Sequence, residues 1–366
     1  MSTLDAYLIR FPKDAKQRAN DILTELRGSV GSTTDSAGLQ LVRQHVAKYI
    51  ETRDGGIASE WKNISLCPGA AYGIRSGVMV PVPQFPLYSG SMSEFDIHRI
   101  DYYLDEARDW ALDISELERS IMEARKCCNP RAIVVINPGN PTGQVLTREN
   151  IQDVIKFAYK ENLFILADEV YQYNVYAADR EFHSFKKVMV ELGAPYCDME
   201  LASFMSCSKG YTGENGLRSG YVEIINMDPE VRHMHAKAIT SALCPTTVAQ
   251  ALMYCVVNPP QPDEESYVKF TAEKSKVIDS FKIGAKIIEE TLNSMDGITC
   301  NPVEGAMYAF PQIRLPEKAI AKAKEAGHCA DVYYAFQLLE NTGICIVPGS
   351  GFGQKSGTFH FRITVL

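Results

Sequence analysis

The sequence lacks the marks of several simple functional classes. No run approaches the ~18 uncharged apolar residues that a spanning helix needs, so no membrane partner is expected. Surplus positive charge is also absent. Against 45 Asp and Glu stand 37 Lys and Arg, a formal net charge of -8, which leaves no cationic footprint for a nucleic-acid backbone. The ten cysteines form no CxxC pair and no framework of a small disulfide-stapled domain, so reduced thiols are expected. Cys127-Cys128 reads as a helix end rather than a redox pair. The seven histidines show no zinc spacing. His233 and His235 lie two apart on an expected helix and point to different faces, so no metal is assigned. There is no internal repeat or low-complexity segment. The opening stretch MSTLDAYLIRFPKDAKQ has an early Asp5 and no apolar core, unlike a secretory signal or a transit peptide, and a cytoplasmic location is the expectation.

What is present is enough apolar material for a large core: 366 residues at 46% hydrophobic content predict two closely packed domains. Ala132 to Ile136 (AIVVI) is a continuous apolar, β-branched run, as in a parallel strand buried on both faces. After the turn NPGNPTG, Thr147 is an expected N-cap. Ile151, Val154, Ile155 and Ala158 then follow at i, i+3, i+4 and i+7, the spacing of an amphipathic helix. Leu163 to Ala167 reads as the next buried strand, completing a right-handed βαβ crossover. Glu200 to Met205 and Leu217 to Ile225 are expected strands that flank the loop 206–215. A long helix is predicted over Asp263 to Met295, interrupted only by Gly284. Beyond it, short strands (Ala306 to Ile313, Cys345 to Val347, Thr358 to Thr364) surround a helix near Asp331 to Glu340. The fold class is therefore α/β: a large domain over 35–265 with a mainly parallel sheet between helices, plus a smaller α+β domain from 1–34 and 266–366 that includes the long linking helix.

In doubly wound sheets ligands sit outside the carboxyl ends of the strands, and the polar residues there are suggestive. Asn137 and Asn140 follow one strand, Asp168 and Tyr171 the next, and Ser206, Ser208 and Lys209 a third. Singly, each has an ordinary reading: a turn, a helix cap, a core tyrosine, a solvated lysine. Together they match what pyridoxal phosphate needs, which is an amine for a Schiff base, an acid beside the pyridine nitrogen and anchors for a phosphate. Lys209 is the candidate amine and proton carrier, and desolvation would favour its neutral form. Asp168 is the partner of the pyridinium, Asn140 and Tyr171 bond the ring oxygen, and Ser206, Ser208 and Arg218 hold the phosphate.

The segments VINPGNPTGQ, ILADEVYQYNVY, SFMSCSKGY with GLRSGYVE, and GICIVPGSGFGQ with FHFRITVL resemble the alanine aminotransferases, within the fold-type I, class I/II aminotransferases. The likeness runs from Phe11-Pro12 to Leu366. It implies transamination between L-alanine and 2-oxoglutarate, giving pyruvate and L-glutamate, in a homodimer with pyridoxal 5'-phosphate as cofactor and amino and 2-oxo acids as its small-molecule partners. It also implies that Phe85 stacks on the pyridine ring, that Arg362 grips the substrate carboxylate with its planar fork, with Asn140 beside it, and that backbone amides at Gly69, Ala70 and Ala71 face the phosphate.

The sequence departs from the family pattern at several places. Ala71 and Tyr72 replace a hydroxyl and an acid. LCPGAAYGI runs straight into RSGVMVPVP where the family has an intervening helix whose N-terminus faces the phosphate. Thr33 stands in place of a tyrosine that reaches the partner subunit's phosphate. The chain also begins late and ends early against the family. These departures leave an alternative open: a truncated or divergent pyridoxal-phosphate-binding protein with weak or no turnover. A related aminotransferase or lyase with another substrate is a further alternative. The GxGxG at Gly349 to Gly353, the only hint of a nicotinamide oxidoreductase, has no long helix after it.

Overall fold

A computed structural model describes residues 11–67, 78–241 and 243–365. The chain forms two compact units, Met1–Gly73 with Glu200–Ile278 and Ile74–Met199 with Asp279–Leu366. The principal strands, in chain order, are Ile64–Cys67 (β1), Val78–Val82 (β2), Arg99–Tyr103 (β3), Ala132–Ile136 (β4), Phe164–Asp168 (β5), Leu201–Ser206 (β6) and Gly220–Ile225 (β7). The expected α/β class, with a mainly parallel sheet between helices and smaller α+β elements, is what the chain adopts.

In the second unit β5, β4, β2 and β3 lie in that order and pair in parallel. Every residue of β2 and β4 is buried, as continuous apolar runs require when helices cover both faces. Strands β4 and β5 pair in parallel with one helix between them in sequence, as expected. Helix Arg148–Glu161 starts at Thr147, whose hydroxyl accepts the Asn150 N–H at 3.2 Å, and it stops at Asn162 in the left-handed region, φ 55°. Its apolar stripe of Ile151, Val154, Ile155 and Ala158 is fully enclosed. Strand β5 runs one residue further than the sequence predicted, so Asp168 itself pairs with Ile136 and is held by the sheet.

The strands beyond residue 279 are shorter than expected. The stretch Ala306 to Ile313 is two strands rather than one. Tyr308–Ala309 pairs with Phe361–Thr364, whereas Gln312–Ile313 pairs with Ile298–Thr299, and the change of partner falls at Pro311, which has no N–H for a ladder. The strands expected at Cys345 to Val347 and Thr358 to Thr364 form over Val347–Pro348 and Phe361–Thr364. Helix Ala330–Thr342 covers the expected one. The long helix spans Tyr267–Asn293 without a break at Gly284. A Cβ there would stand 3.0 Å from the Val365 carbonyl oxygen, so glycine permits a close backbone approach.

In the first unit β1, β7 and β6 pair antiparallel. The strand expected from Leu217 starts only at Gly220. Asn215–Leu217 is a 3-10 turn, and Arg218 takes φ 53°, which a strand cannot include. Helix Lys13–Glu25 is anchored by Arg18, which donates to the carbonyls of Asn258 (2.7 Å) and Pro259 (3.0 Å) and to Glu264 (2.7 Å). No helix among the described residues is long and apolar enough to cross a membrane.

Candidate active site

Asp168 closes β5 and is buried. Its Oδ2 accepts a hydrogen bond of 2.6 Å from the Tyr88 hydroxyl, and its Oδ1 one of 3.4 Å from the Val170 N–H. Tyr88 sits on helix Leu87–Glu94 and is 2% exposed. Burial first, then the Asp168 charge and its hydrogen bond, pushes the Tyr88 phenol well above its ordinary range, so it stays a donor and holds the carboxylate in one orientation.

The loop after β4 delivers Asn140, which is also buried. Its Nδ2 donates to the Tyr171 hydroxyl at 3.3 Å, and its Oδ1 accepts from Arg362 Nη1 at 3.4 Å. The Tyr171 hydroxyl in turn donates to that of Tyr308 at 3.4 Å, and the two rings meet edge to face with centroids 5.8 Å apart. Burial is the largest cause raising the Tyr171 phenol, followed by Tyr308 and Asp168, with Arg362 opposing. The Arg362 guanidinium, on strand Phe361–Thr364, lies over the Tyr308 ring at 4.2 Å and the Phe352 ring at 4.8 Å. Its Nε is buried with no hydrogen-bond partner. A planar, weakly hydrated cation set between two aromatic faces is ready to take a carboxylate on its remaining donors. Phe85, half-buried, directly precedes the turn into the Tyr88 helix, its carbonyl accepting the Tyr88 N–H at 3.1 Å.

The other unit collects the remaining candidates after β6. Ser206 Oγ donates to the Ser219 carbonyl (3.3 Å) and accepts the Ser208 N–H (3.1 Å). Arg218 Nη1 donates to Ser208 Oγ at 3.4 Å and to Asn215 Oδ1 at 3.0 Å. Lys209 follows in the same turn, half-buried, its carbonyl accepting the Gly213 N–H at 3.5 Å. Cys207, between the serines, points into the core, and burial pushes its thiol up to about 12. It is a buried packing residue in the turn between two polar ones. Gly69, Ala70 and Ala71 lie outside the described residues.

Two connected sets thus emerge: Asn140, Tyr171 and Arg362, with Asp168 close by in sequence to Tyr171, and Ser206, Ser208 and Arg218 next to Lys209. Sequence reasoning missed Tyr88 and Tyr308. Tyr88 follows Phe85 by three residues in PQFPLY, one turn of a helix, which was a usable signal. The Tyr171–Tyr308 contact spans 137 residues and carried no local one.

The sequence matches the family described as aminotransferase class I and II over residues 4–366. It is 55% identical to the alanine aminotransferase 2-like protein of Danio rerio, over 98% of this chain and 68% of that one. Against alanine aminotransferase 1 of Homo sapiens the identity is 52%, over 97% of this chain and 75% of that one. Among solved structures, an alanine aminotransferase from Pyrococcus furiosus superposes with a TM-score of 0.78 at 22% identity, covering 96% of this chain and 83% of that one. At that identity the likeness speaks for the fold alone.

Proposed function

This chain belongs to the class I and II aminotransferases, and from that premise we propose that it transfers the amino group of L-alanine to 2-oxoglutarate, giving pyruvate and L-glutamate with pyridoxal phosphate as cofactor. The choice of alanine rests on one observation: identity above half, over nearly the whole chain, to relatives named alanine aminotransferase. The same identity supports turnover rather than silent binding of the cofactor.

The residues fit the cofactor by their chemistry. A buried carboxylate already oriented by Tyr88 suits a pyridinium nitrogen, and two serine hydroxyls with a guanidinium suit a phosphate dianion. In this reading Lys209, Ser206, Ser208, Arg218, Asp168, Asn140, Tyr171 and Phe85 hold the cofactor, together with the amides of Gly69, Ala70 and Ala71. When bound, pyridoxal phosphate supplies an electron sink for the pair left behind when the substrate α-carbon loses its proton.

The rest is the work of the chain. Arg362 binds the α-carboxylate of the amino acid through donors left over from its contact with Asn140, and so fixes the α-carbon. Lys209 Nζ takes the proton from the α-carbon of alanine and returns one to the α-carbon that becomes glutamate. The Asp168 carboxylate, oriented by Tyr88, would pair with the ring nitrogen and favour its protonated form. The phenol of Tyr171, whose ionisation burial disfavours, would turn its single proton from Tyr308 to the ring oxygen. One binding pocket serves both substrates in turn, so the kinetics are ping-pong.

The test is the absorbance spectrum of the protein with added cofactor, combined with a lactate-dehydrogenase-coupled assay for pyruvate. Alanine alone shifts the bound-cofactor band and releases about one equivalent of pyruvate per site, pyruvate forms catalytically only when 2-oxoglutarate is present, and double-reciprocal plots are parallel. A band that alanine leaves unmoved rules out the assignment. We further propose a homodimer in the cytoplasm, checked by light scattering and cell fractionation, and a functional division into 35–265 for cofactor binding and 1–34 with 266–366 as the small domain.

A further inference from the structure

Helix Ile114–Ala124 packs against β3, with the Ser120 hydroxyl donating to the Asp101 carbonyl at 2.7 Å. The helix ends where Cys127 and Cys128 both donate their N–H to the Ala124 carbonyl, at 3.0 and 2.9 Å. That turn faces His98, the residue just before β3. Cys127 Sγ lies 3.5 Å from His98 Nε2, and one atom each of His98, Cys127 and Cys128 lie within 4.8 Å of one another. None of the three takes part in the proposed transamination.

We propose that His98, Cys127 and Cys128 form a binding site for a soft divalent cation of the zinc class. Ligands at the usual Zn–N and Zn–S lengths, about 2.1 and 2.3 Å, and tetrahedral angles stand about 3.6 Å apart for N to S and about 3.8 Å for S to S. The observed 3.5 Å between sulfur and nitrogen already meets the first requirement, and the 4.8 Å limit on the trio leaves at most about 1 Å for a rotamer adjustment to meet the second. Two thiols with an imidazole select zinc over magnesium or calcium, which want oxygen ligands. His98 and Cys127 are exposed and Cys128 is half-buried, so the ion enters from solvent and its fourth position is open to water. Bound there, it ties the C-terminal end of helix Ile114–Ala124 to the start of β3. Residue spacing could not show this trio, because the histidine lies 29 residues upstream of the cysteine pair.

The experiment uses the full chain, reduced, with its cofactor. Co²⁺ is titrated as a spectroscopic probe, followed by competition of Zn²⁺ against a chromophoric chelator. One equivalent of Co²⁺ gives a thiolate-to-metal charge-transfer band that Zn²⁺ abolishes. His98→Ala, Cys127→Ser and Cys128→Ser each weaken Zn²⁺ binding by at least about 100-fold, and each removes the rise in melting temperature that Zn²⁺ gives the parent protein. Cys329→Ser, an exposed thiol elsewhere, changes neither. A readout without variants guards against misfolding: Zn²⁺ shields Cys127 and Cys128 from alkylation while Cys329 and Cys345 remain reactive. Absence of the band at equimolar Co²⁺, its persistence in any of the three variants, or unshielded Cys127 and Cys128 overturns the proposal.

Discussion

Tyr88 Oη donates to Asp168 Oδ2 at 2.6 Å inside a buried site, and a hydrogen bond to a charged group in such surroundings contributes about 1.5 to 3 kcal/mol. Tyr88→Phe removes that donor and little else. The expected result is a loss of stability of that order by calorimetry together with a fall in kcat of about ten- to a hundredfold in the coupled pyruvate assay. An unchanged kcat means that Asp168 needs no such positioning. Arg362 makes a different prediction. Its fork binds two oxygens at once and lies flat on Tyr308, neither of which an ammonium reproduces. Arg362→Lys raises KM for alanine and for 2-oxoglutarate together, by about a hundredfold or more, while leaving cofactor absorbance in place. A rise confined to one substrate overturns the shared-pocket reading. Lys209→Ala abolishes turnover and the borohydride-fixed label on that peptide. These residues differ in how legible they were. Asp168 and Asn140 stand at strand ends that hydropathy alone marks. Tyr308 becomes visible only once strand Tyr308–Ala309 is brought to Phe361–Thr364 by pairing across more than fifty residues.

Strands β4 and β5 and the helix joining them were readable because every local signal agrees: continuous apolar runs, a capping threonine, a 3.6-residue apolar period. Thr147→Ala tests the cap and costs about 1 kcal/mol in a denaturant melt without altering kcat. The short strands past residue 300 were readable only roughly, since two-residue strands take their order from partners rather than from propensity. One residue there has an outsized effect. Glu304 accepts the Val145 N–H at 2.8 Å and Arg180 Nε at 2.8 Å through its carboxylate, and the Tyr176 N–H at 2.7 Å through its carbonyl. It thereby fastens the loop after β4, which carries Asn140, to the loop after β5, which carries Tyr171. Glu304→Ala leaves a buried N–H and a guanidinium without that partner, and about 2 to 4 kcal/mol of stability is lost. Activity falls with it, since both loops lose their tie. A variant that melts like the parent shows that the loops hold their places without this carboxylate.

For the molecule as a whole, binding of the proposed cofactor is read as a rise in melting temperature. A ligand that binds the folded chain and not the unfolded one stabilises it by RT ln(1 + [L]/Kd), about 2.7 kcal/mol at a hundredfold excess over Kd. For units of this size each kcal/mol moves the midpoint by roughly 2 to 4 °C, so cofactor at that hundredfold excess raises the melting temperature by roughly 5 to 10 °C. The dependence can be dissected. Arg218→Ala removes a charge-assisted contact to the phosphate and raises Kd about tenfold, so at any cofactor concentration well above Kd the stabilisation is smaller by about 1.4 kcal/mol. Pyridoxal without its phosphate gives a smaller rise in the parent protein and an equal one in the variant. If Arg218→Ala weakens the response to pyridoxal as much as to pyridoxal phosphate, the guanidinium is not the phosphate's partner and the assignment of that residue fails.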